Sequence, residues 1–425
     1  MTDSPPLGNV SWKGVGDYGE EYAERIHKFF DKIDNKALES YVSSLRGNQP
    51  CNISTEFSVG NFNLVRKIQF HDGVEWIVRL LMPPMPVAGQ LIETVSPKAQ
   101  EKRLLSMQSE LATMEFVRQN TDIPIPKIYA YELNEQNAVG CPFFMMEYVH
   151  GNTAEEVSQS YPGNREGIPE PFQEKFWRQI ANIMTQLASV RLPRIGSIVR
   201  DAAGSFVAGP LIETGSGPYD SAAEFYADYP LALGNSLAER EGPVDGQGEV
   251  IQAFCSLAAS FPPPAARAER GSAEDFGLAN YDLNPNNILI DQEFNVLAVI
   301  DWDSVVSVPD AALYRFPYLM GVKCAVPGLD STERLQLKRE ALSQQFAEVV
   351  EAWGKEQLEK EFRGVNKRRM YLFTKSGFFS KEAVAFRSLI AVRQGQDWVN
   401  EEWIQGLAWL SDRNEEQVTR FYLEQ

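Results

Sequence analysis

Asn280-Tyr-Asp-Leu-Asn-Pro-Asn-Asn287 is the stretch that decides how this chain is interpreted. An apolar hairpin pattern follows it and ends at Ile300, directly before Asp301. The hairpin would return the chain so that Asp301 ends a strand close to Asn287. Carboxylate and amide oxygens are ligands that Mg2+ accepts in proteins. The stretch therefore predicts a site at which Asn287 and Asp301 hold a metal ion beside Asp282.

The first third of the chain has the pattern of an antiparallel sheet. Residues 57–70 are typical of a strand, a turn containing Gly60 and a second strand. His71-Asp-Gly73 predicts a hairpin turn into the next strand, which ends at Leu81, and two more strands are expected at 128–132 and 143–149. A helix begins near Pro97, and Glu110 borders its apolar stripe. A carboxylate in such a place usually needs a cationic partner.

From residue 150 onward the sequence indicates mainly helices. Gly-rich and Pro-rich loops are expected at roughly 200–250 and 261–275, and helices from about 330 to 425. A sheet-rich first third and a helical remainder predict an α+β fold with two lobes and a cleft between them. We expect three parts: a helical N-terminal extension at 1–50, an N-lobe with sheet and helix at 51–149, and a helical C-lobe at 150–425.

Composition narrows the classes of function. The chain has 425 residues, and 58 acidic against 40 basic residues give a net charge of -18. This balance argues against nucleic acid as a partner and suits a cationic substrate, although solubility alone also explains it. The three histidines all lie in the first 150 residues, so no His-based triad is available farther along. The composition predicts no oligomeric state.

The cysteines and the apolar runs of the sequence predict the cellular location of the protein. The four cysteines are scattered without a CxxC pair, which indicates free thiols in a reducing compartment. No apolar run approaches the roughly 20 residues that cross a bilayer, and no secretory signal is visible. We therefore expect a cytoplasmic protein without a membrane partner.

The decisive stretch resembles the aminoglycoside phosphotransferase and choline kinase family. That family has His-Gly-Asp-Leu-x-Pro-x-Asn-Ile-Leu in its catalytic loop and a metal aspartate in Ile-Asp-Trp, as in Ile300-Asp301-Trp302 of this chain. The resemblance implies a bilobed protein-kinase-like fold that uses ATP and Mg2+ to phosphorylate a hydroxyl of a small-molecule acceptor. Asp282 would then be the catalytic base, with Asn287 and Asp301 as metal ligands.

Nucleotide-binding roles follow from the same resemblance. Ser58 to Asn63 resembles the loop that covers the phosphates, although a plain hairpin turn also explains its single glycine. Arg79 matches the family's phosphate-contacting cation, Glu110 matches the glutamate that pairs with it, and residues 142–151 resemble the linker at the adenine edge. The expected nucleotide-binding residues are Gly60, Asn61, Arg79, Glu110, Glu147 and Val149.

Departures from the family pattern leave two alternatives open. Asn280 stands where the family has histidine and Tyr281 where it has glycine, which keeps open a pseudokinase that acts through binding alone. Asp301-Trp-Asp303 is also the DxD pattern with which many glycosyltransferases hold manganese and a nucleotide sugar. The Asp282 and Asn287 pair favours the kinase interpretation over that remote alternative.

Overall fold

The computed structural model describes the chain as an α+β molecule, in agreement with the prediction from sequence. An antiparallel sheet dominates the first third, and helices dominate the rest. No helix in the described part of the chain is long and apolar enough to cross a membrane. The described residues are 12, 20–60, 62–83, 97–164, 167–241, 246–261, 275–317, 334–361, 370–391 and 401–424.

The N-terminal sheet has the strand order β1-β2-β3-β5-β4, with every neighbouring pair antiparallel. The predicted turn at 71–73 is present: Gly73 has φ +87° and donates its N–H to the carbonyl of Phe70 at 2.9 Å. The elements of this region are α1 (Glu20–Phe30), α2 (Asn35–Leu45), β1 (Cys51–Val59), β2 (Asn63–Phe70), β3 (Glu75–Leu81), α3 (Pro97–Asn120), β4 (Ile128–Glu132) and β5 (Phe143–Glu147).

The rest of the chain mixes helices with short strands. Its strands form a second five-stranded sheet of order β7-β10-β13-β8-β9 and a small one of order β12-β11-β6. The elements are β6 (Asn152–Thr153), α4 (Ala154–Ser160), α5 (Glu170–Ser189), β7 (Arg191–Leu192), β8 (Gly196–Arg200), β9 (Phe206–Gly209), α6 (Ala222–Glu241), α7 (Gln247–Ala258), β10 (Phe276–Asn280), β11 (Ile288–Ile290), β12 (Val296–Val299), β13 (Val305–Val308), α8 (Asp310–Leu313), α9 (Arg334–Glu361), α10 (Lys375–Phe378), α11 (Lys381–Ala391), α12 (Glu401–Ser411) and α13 (Glu415–Leu423).

The prediction of loops over residues 200–250 is wrong for β9 and for α6. Glycines in β8 and β9 allow the two strands to pack closely, because a Cβ on Gly196 would lie 2.0 Å from the carbonyl oxygen of Gly209. Helix α6 tolerates Pro230 in its interior, and it buries a stripe with helical spacing. The stripe consists of Phe225, Tyr229, Leu233 and Leu237.

Two hydrophobic cores organise the described residues. One lies under β1, β2 and β3 and is completed by α1 and α2, through residues such as Leu38 and Phe57. The other joins α3 to α5, β10 and the C-terminal helices. The helical N-terminal extension thus shares a core with the sheet, whereas α3 packs with the C-terminal half. The division at residues 50 and 149 stays a prediction.

The core under the sheet depends on large side chains without solvent contact. Phe57 is 0% exposed and packs edge-on against Phe30 at 5.1 Å between ring centroids, whereas Phe62 is 48% exposed. We expect Phe57→Ala to lower the free energy of unfolding by about 3–5 kcal/mol, because it leaves a cavity. Phe62→Ala is the control and should cost less than about 1 kcal/mol. Urea unfolding measures both, and equal losses would contradict this assignment of the core.

Candidate active site

The loop after β10 is held by short hydrogen bonds within the segment 280–287. Asn280 accepts the N–H of Asp282 on Oδ1 at 2.9 Å, and Asn284 accepts the N–H of Asn286 at 2.9 Å. The N–H of Tyr281 donates to the carbonyl of Ser304 at 3.0 Å, which ties the loop to the residues that follow Asp301. Pro285 begins a single 3₁₀ turn. These hydrogen bonds fix the backbone conformation of the loop.

Asp282 is oriented by two asparagine side chains. The Nδ2 group of Asn287 donates to Asp282 Oδ2 at 2.7 Å and to its carbonyl at 2.9 Å. Asn284 Nδ2 donates to Asp282 Oδ1 at 2.7 Å. The nitrogen of the Asn287 amide is therefore turned to Asp282, and its oxygen is the atom left for a metal ion. The carboxylate stays half-buried at the surface of the loop.

The hairpin β11–β12 brings Asp301 back to Asn287, as its pattern predicts. Ile288 pairs with Val299, and the N–H of Ile300 donates to the carbonyl of Asn287 at 2.9 Å. The backbone of Asp301 has φ +62°, in the left-handed region that residues other than glycine rarely adopt. This conformation costs about 1 kcal/mol or more, so neighbouring contacts must hold it.

Arg79 and Glu110 form a buried ion pair that also contacts Asp301. Arg79 Nη1 lies 2.6 Å from Glu110 Oε1, and Nη2 lies 3.4 Å from Asp301 Oδ1. The N–H of Trp302 donates to Glu110 Oε1 at 3.4 Å. Burial lowers the pKa of Arg79, but the charges of Glu110, Asp301 and Asp303 outweigh it and hold that pKa above its usual range. The guanidinium is charged throughout the physiological range.

A surplus of negative charge remains at the site. Burial raises the pKa of Glu110 to about 7, and the charges of Asp301 and Asp303 add to this against the charge of Arg79. Burial likewise raises the pKa of Asp303 to about 6, with the charge of Asp301 as the next cause. Three carboxylates thus face one cation. This surplus of negative charge favours a positively charged ligand near Asp301.

The other expected nucleotide-binding residues lie along the N-terminal sheet and the linker. Gly60 sits in the β1–β2 turn and donates its N–H to the carbonyl of Asn63 at 3.0 Å. A Cβ on Gly60 would meet nothing closer than 4.0 Å, so the backbone does not require glycine there. Asn61 lies outside the described residues. The phosphate-covering role of Gly60 and Asn61 stays a prediction.

The linker residues are engaged with neighbouring backbone. Glu147 Oε2 accepts the N–H of Lys127 at 3.1 Å, and the N–H of Glu147 donates to the Lys127 carbonyl at 2.8 Å. Val149 accepts the N–H of Gly151 on its carbonyl at 2.9 Å. Glu147 pairs with Trp76, three residues before Arg79 on β3. The structure brings Asp282, Asn287, Asp301, Arg79 and Glu110 together, with Glu147 and Val149 at the far end of β3.

A sequence profile described as the phosphotransferase enzyme family matches residues 55–309, more than half of the chain. The chain belongs to this phosphotransferase family. The match begins within β1 and includes β2 to β13, so it covers the predicted phosphate loop and the segment after Asp301. The resemblance that the catalytic-loop motif predicted is thereby confirmed.

The curated relatives of this chain are similar to it over a limited number of residues. A subtelomeric hrmA-associated cluster protein of Aspergillus fumigatus is 28% identical over 148 residues, 35% of this chain and 25% of that protein. Altered inheritance of mitochondria protein 9, mitochondrial, of Saccharomyces cerevisiae is 24% identical over 169 residues, 39% of this chain and 24% of that protein. The chain thus spans about a quarter of the length of these curated relatives.

Solved structures of phosphotransferases align over most of the chain. Aminoglycoside phosphotransferase APH(4)-Ia is 12% identical, with a TM-score of 0.43, over 91% of this chain and 98% of that one. A macrolide 2'-phosphotransferase of Brachybacterium faecium is 14% identical, with a TM-score of 0.38, over 87% of this chain and 97% of that one.

Two contributors to the site of this phosphotransferase were not predicted. Asn284 holds Asp282 Oδ1, and the N–H of Trp302 reaches Glu110. The first has a signal in the sequence, since asparagine before proline is typical of a side chain that caps the next turn. The contact from the N–H of Trp302 has no such signal, because every residue type except proline has a backbone N–H.

The left-handed backbone at Asp301 predicts an unusual order of stability among variants. Asp301→Gly and Asp301→Ala both remove the carboxylate, but only alanine keeps a Cβ at φ +62°. We expect the glycine variant to be more stable by about 1 kcal/mol, as measured by urea unfolding. The same two substitutions at Asp291, whose φ is not positive, are the control. There alanine should be the more stable, and the same order at both positions would refute the argument.

The raised pKa of Asp303 predicts a dependence of stability on pH. Between an unfolded value near 3.8 and a folded value of about 6, the folded state binds more protons. Stability from this group is therefore present below pH 3.8 and is lost as the pH rises through 6. Asp303→Asn removes that loss. The difference in unfolding free energy between pH 7 and pH 4 should therefore be more favourable in the variant than in the wild type by roughly 1–3 kcal/mol. Asp412→Asn, at an exposed position, is the control. Parallel pH profiles for wild type and Asp303→Asn would contradict the assignment.

Proposed function

We propose that this phosphotransferase is a kinase that transfers a phosphoryl group from ATP, with Mg2+, to a hydroxyl of a small molecule. The observation that supports it most is the joint placement of Asp282, Asn287 and Asp301 with the charged Arg79. Phosphoryl transfer requires positioning and charge stabilisation more than covalent chemistry from the protein. A carboxylate, an amide oxygen, a second carboxylate and a cation in one site meet that requirement.

Asp282 is the proposed base. Its carboxylate oxygens accept amide N–H groups from Asn284 and Asn287. The acceptor hydroxyl would donate its hydrogen to this carboxylate, which would take the proton as the phosphoryl group moves. The two amides hold the carboxylate in one orientation, which removes the entropy cost of aiming it.

Arg79 is the proposed phosphate contact. The salt bridge to Glu110 fixes the guanidinium, and the guanidinium stays charged in the physiological pH range. A fixed cation beside the site balances phosphate charge without reorganising during the reaction. We further propose that Gly60 and Asn61 cover the phosphates and that the backbone at Glu147 and Val149 meets the adenine.

Asn287 and Asp301 fit Mg2+ by their chemistry. The amide oxygen of Asn287 and the carboxylate of Asp301 are hard oxygen donors. Mg2+ commonly takes only one or two protein carboxylates and completes its shell with phosphate oxygens and water. When bound, Mg2+ neutralises charge on the transferred phosphate.

The acceptor is proposed only as a class. The net charge of -18 and the carboxylates at the site favour an amine-bearing alcohol. The scattered cysteines, without a CxxC pair, favour a reducing, cytoplasmic setting for the reaction. A pseudokinase remains the second candidate, because Asn280 replaces the family histidine and its buried Nδ2 group has no hydrogen-bond partner among the described residues. In that case nucleotide would bind without turnover.

The proposed base predicts a separation of binding from turnover. Asp282→Asn keeps the shape of the side chain and removes its ability to take a proton. We expect ATP consumption, screened against alcohols and aminoglycosides with Mg2+, to fall by a factor of about 10² or more. The rise in melting temperature caused by Mg2+ and ATP should persist. Asn286→Ala, at an exposed neighbour in the same loop, is the control. Unchanged turnover in Asp282→Asn would mean that the base is wrong, and a wild type that binds without turnover would favour the pseudokinase.

The proposed metal ligands predict a loss of magnesium dependence. Asn287→Ala and Asp301→Asn each remove a hard oxygen or its charge. In both variants, the melting-temperature increase caused by AMP-PNP should become nearly the same with Mg2+ as with EDTA. Wild type and Asn295→Ala, outside the site, should retain the difference. If Asp301→Asn keeps a full response to Mg2+, Asp301 is not a ligand.

A further inference from the structure

Helix α3, which carries Glu110, is fastened along its length to the segment 196–241. This segment lies between α5 and the catalytic loop and contains β8, β9 and α6; we call it the docking insert. The contacts from the start to the end of α3 are Lys98 to Glu239 at 2.9 Å, Lys102 to Ser236 Oγ at 3.4 Å, Ser109 Oγ to the Ile198 carbonyl at 2.9 Å, Glu115 to Arg200 at 2.7 Å and Phe116 to Phe206 at 5.3 Å between ring centroids.

The middle of α3 is enclosed on every side. Residues 109–114 are all buried, including the polar Ser109 at 3% and Thr113 at 0% exposure. Ser109 donates to β8, and the adjacent Glu110 points to Arg79 on β3. Successive residues on a helix diverge by about 100°, so one turn of α3 contacts the docking insert and the N-terminal sheet at once.

The packing assigns α3 to the C-terminal half. Its apolar residues Met107, Leu111 and Met114 belong to the core that contains α5 and β10. The core under β1 to β3 is completed instead by α1 and α2. Among the described elements, β8 is the main packing partner of α3. Leu81, Phe144 and Met146 of the N-terminal sheet belong to the same core, so the Arg79–Glu110 ion pair lies at the junction between the sheet and the C-terminal half.

The docking insert is continuous with the proposed catalytic machinery. In the second sheet, β8 pairs with β13 and β13 pairs with β10. Strand β10 ends at Asn280, before Asp282, and β13 begins directly after Ser304. A single sheet therefore makes all three connections. Strand β10 leads into the proposed base, β13 begins four residues after the proposed metal ligand Asp301, and β8 contacts the helix that carries Glu110.

The geometry points to the docking insert as the device that sets the position of Glu110, with Ser109, Arg200 and Phe206 as positioning residues for the Arg79–Glu110 pair. This inference rests on the proposed kinase function for its effect on nucleotide. Arg79 lies on the N-terminal sheet, whereas Glu110 lies on the helix that the docking insert holds. The contacts of the insert would therefore decide where Glu110 meets Arg79.

Ser109→Ala and Phe206→Ala in the full chain test the inference. Ser388→Ala is the matched control, since Ser388 is also a buried helical serine with a 2.9 Å bond, to Val384 in its own helix. The first measurement is the Kd for ATP with Mg2+ by calorimetry. We expect a rise of roughly tenfold for Ser109→Ala and Phe206→Ala, and less than about twofold for Ser388→Ala at a similar loss of melting temperature.

Amide hydrogen exchange without nucleotide gives the second measurement. In Ser109→Ala, residues 97–120 and 196–209 should exchange faster, while residues 51–81 keep the wild-type rates. Faster exchange in 51–81 with α3 unchanged would overturn the inference, as would unchanged ATP affinity in both variants. If Ser109→Ala does not fold, Phe206→Ala, at a half-buried position, carries the same readouts. A wild type that does not bind ATP contradicts the proposed function instead, and the exchange pattern still decides whether the insert holds α3.

Discussion

The buried ion pair between Arg79 and Glu110 is the interaction on which the site depends. Removing two charges from water costs several kcal/mol per ion, and a close partner with further hydrogen bonds must offset that cost. Here the distance is 2.6 Å, and the second guanidinium nitrogen and the N–H of Trp302 add contacts. Breaking the pair would leave an uncompensated charge in the interior. The sheet, α3 and the segment at Asp301 are thereby tied into one arrangement.

Local sequence accounts for the other half of the site. Asn280, Asn284 and Asn287 each satisfy a backbone or carboxylate group within a few residues, so the loop needs little help from distant parts of the chain. The hairpin then places Asp301 through a single backbone bond to Asn287. Because these contacts are short in sequence, a motif of eight residues and one hairpin encodes most of the geometry around Asp282.

The parts predicted from sequence are those with local signals. The strands around Gly73 and the hairpin before Asp301 follow from alternation and turn residues. A carboxylate beside an apolar stripe indicated that Glu110 needs a cation, and the family resemblance named Arg79 as that cation. Strands β8 and β9 were missed, because glycine at 196 and 209 looks like a loop in sequence and permits close strand contact in space. The docking of α3 was also missed, since the helical period shows that a face is buried but not which body buries it.

The departure at Asn280 bears on whether the site is intact. An amide at this position can accept one hydrogen bond and donate two. Its Oδ1 holds the N–H of Asp282, so the backbone beside the proposed base is fixed without an imidazole. Its Nδ2 is buried without a hydrogen-bond partner in the described part of the chain, which costs about 1–3 kcal/mol. The substitution thus lowers stability while it preserves the path of the loop. The backbone geometry that the proposed base requires is therefore present with asparagine at position 280.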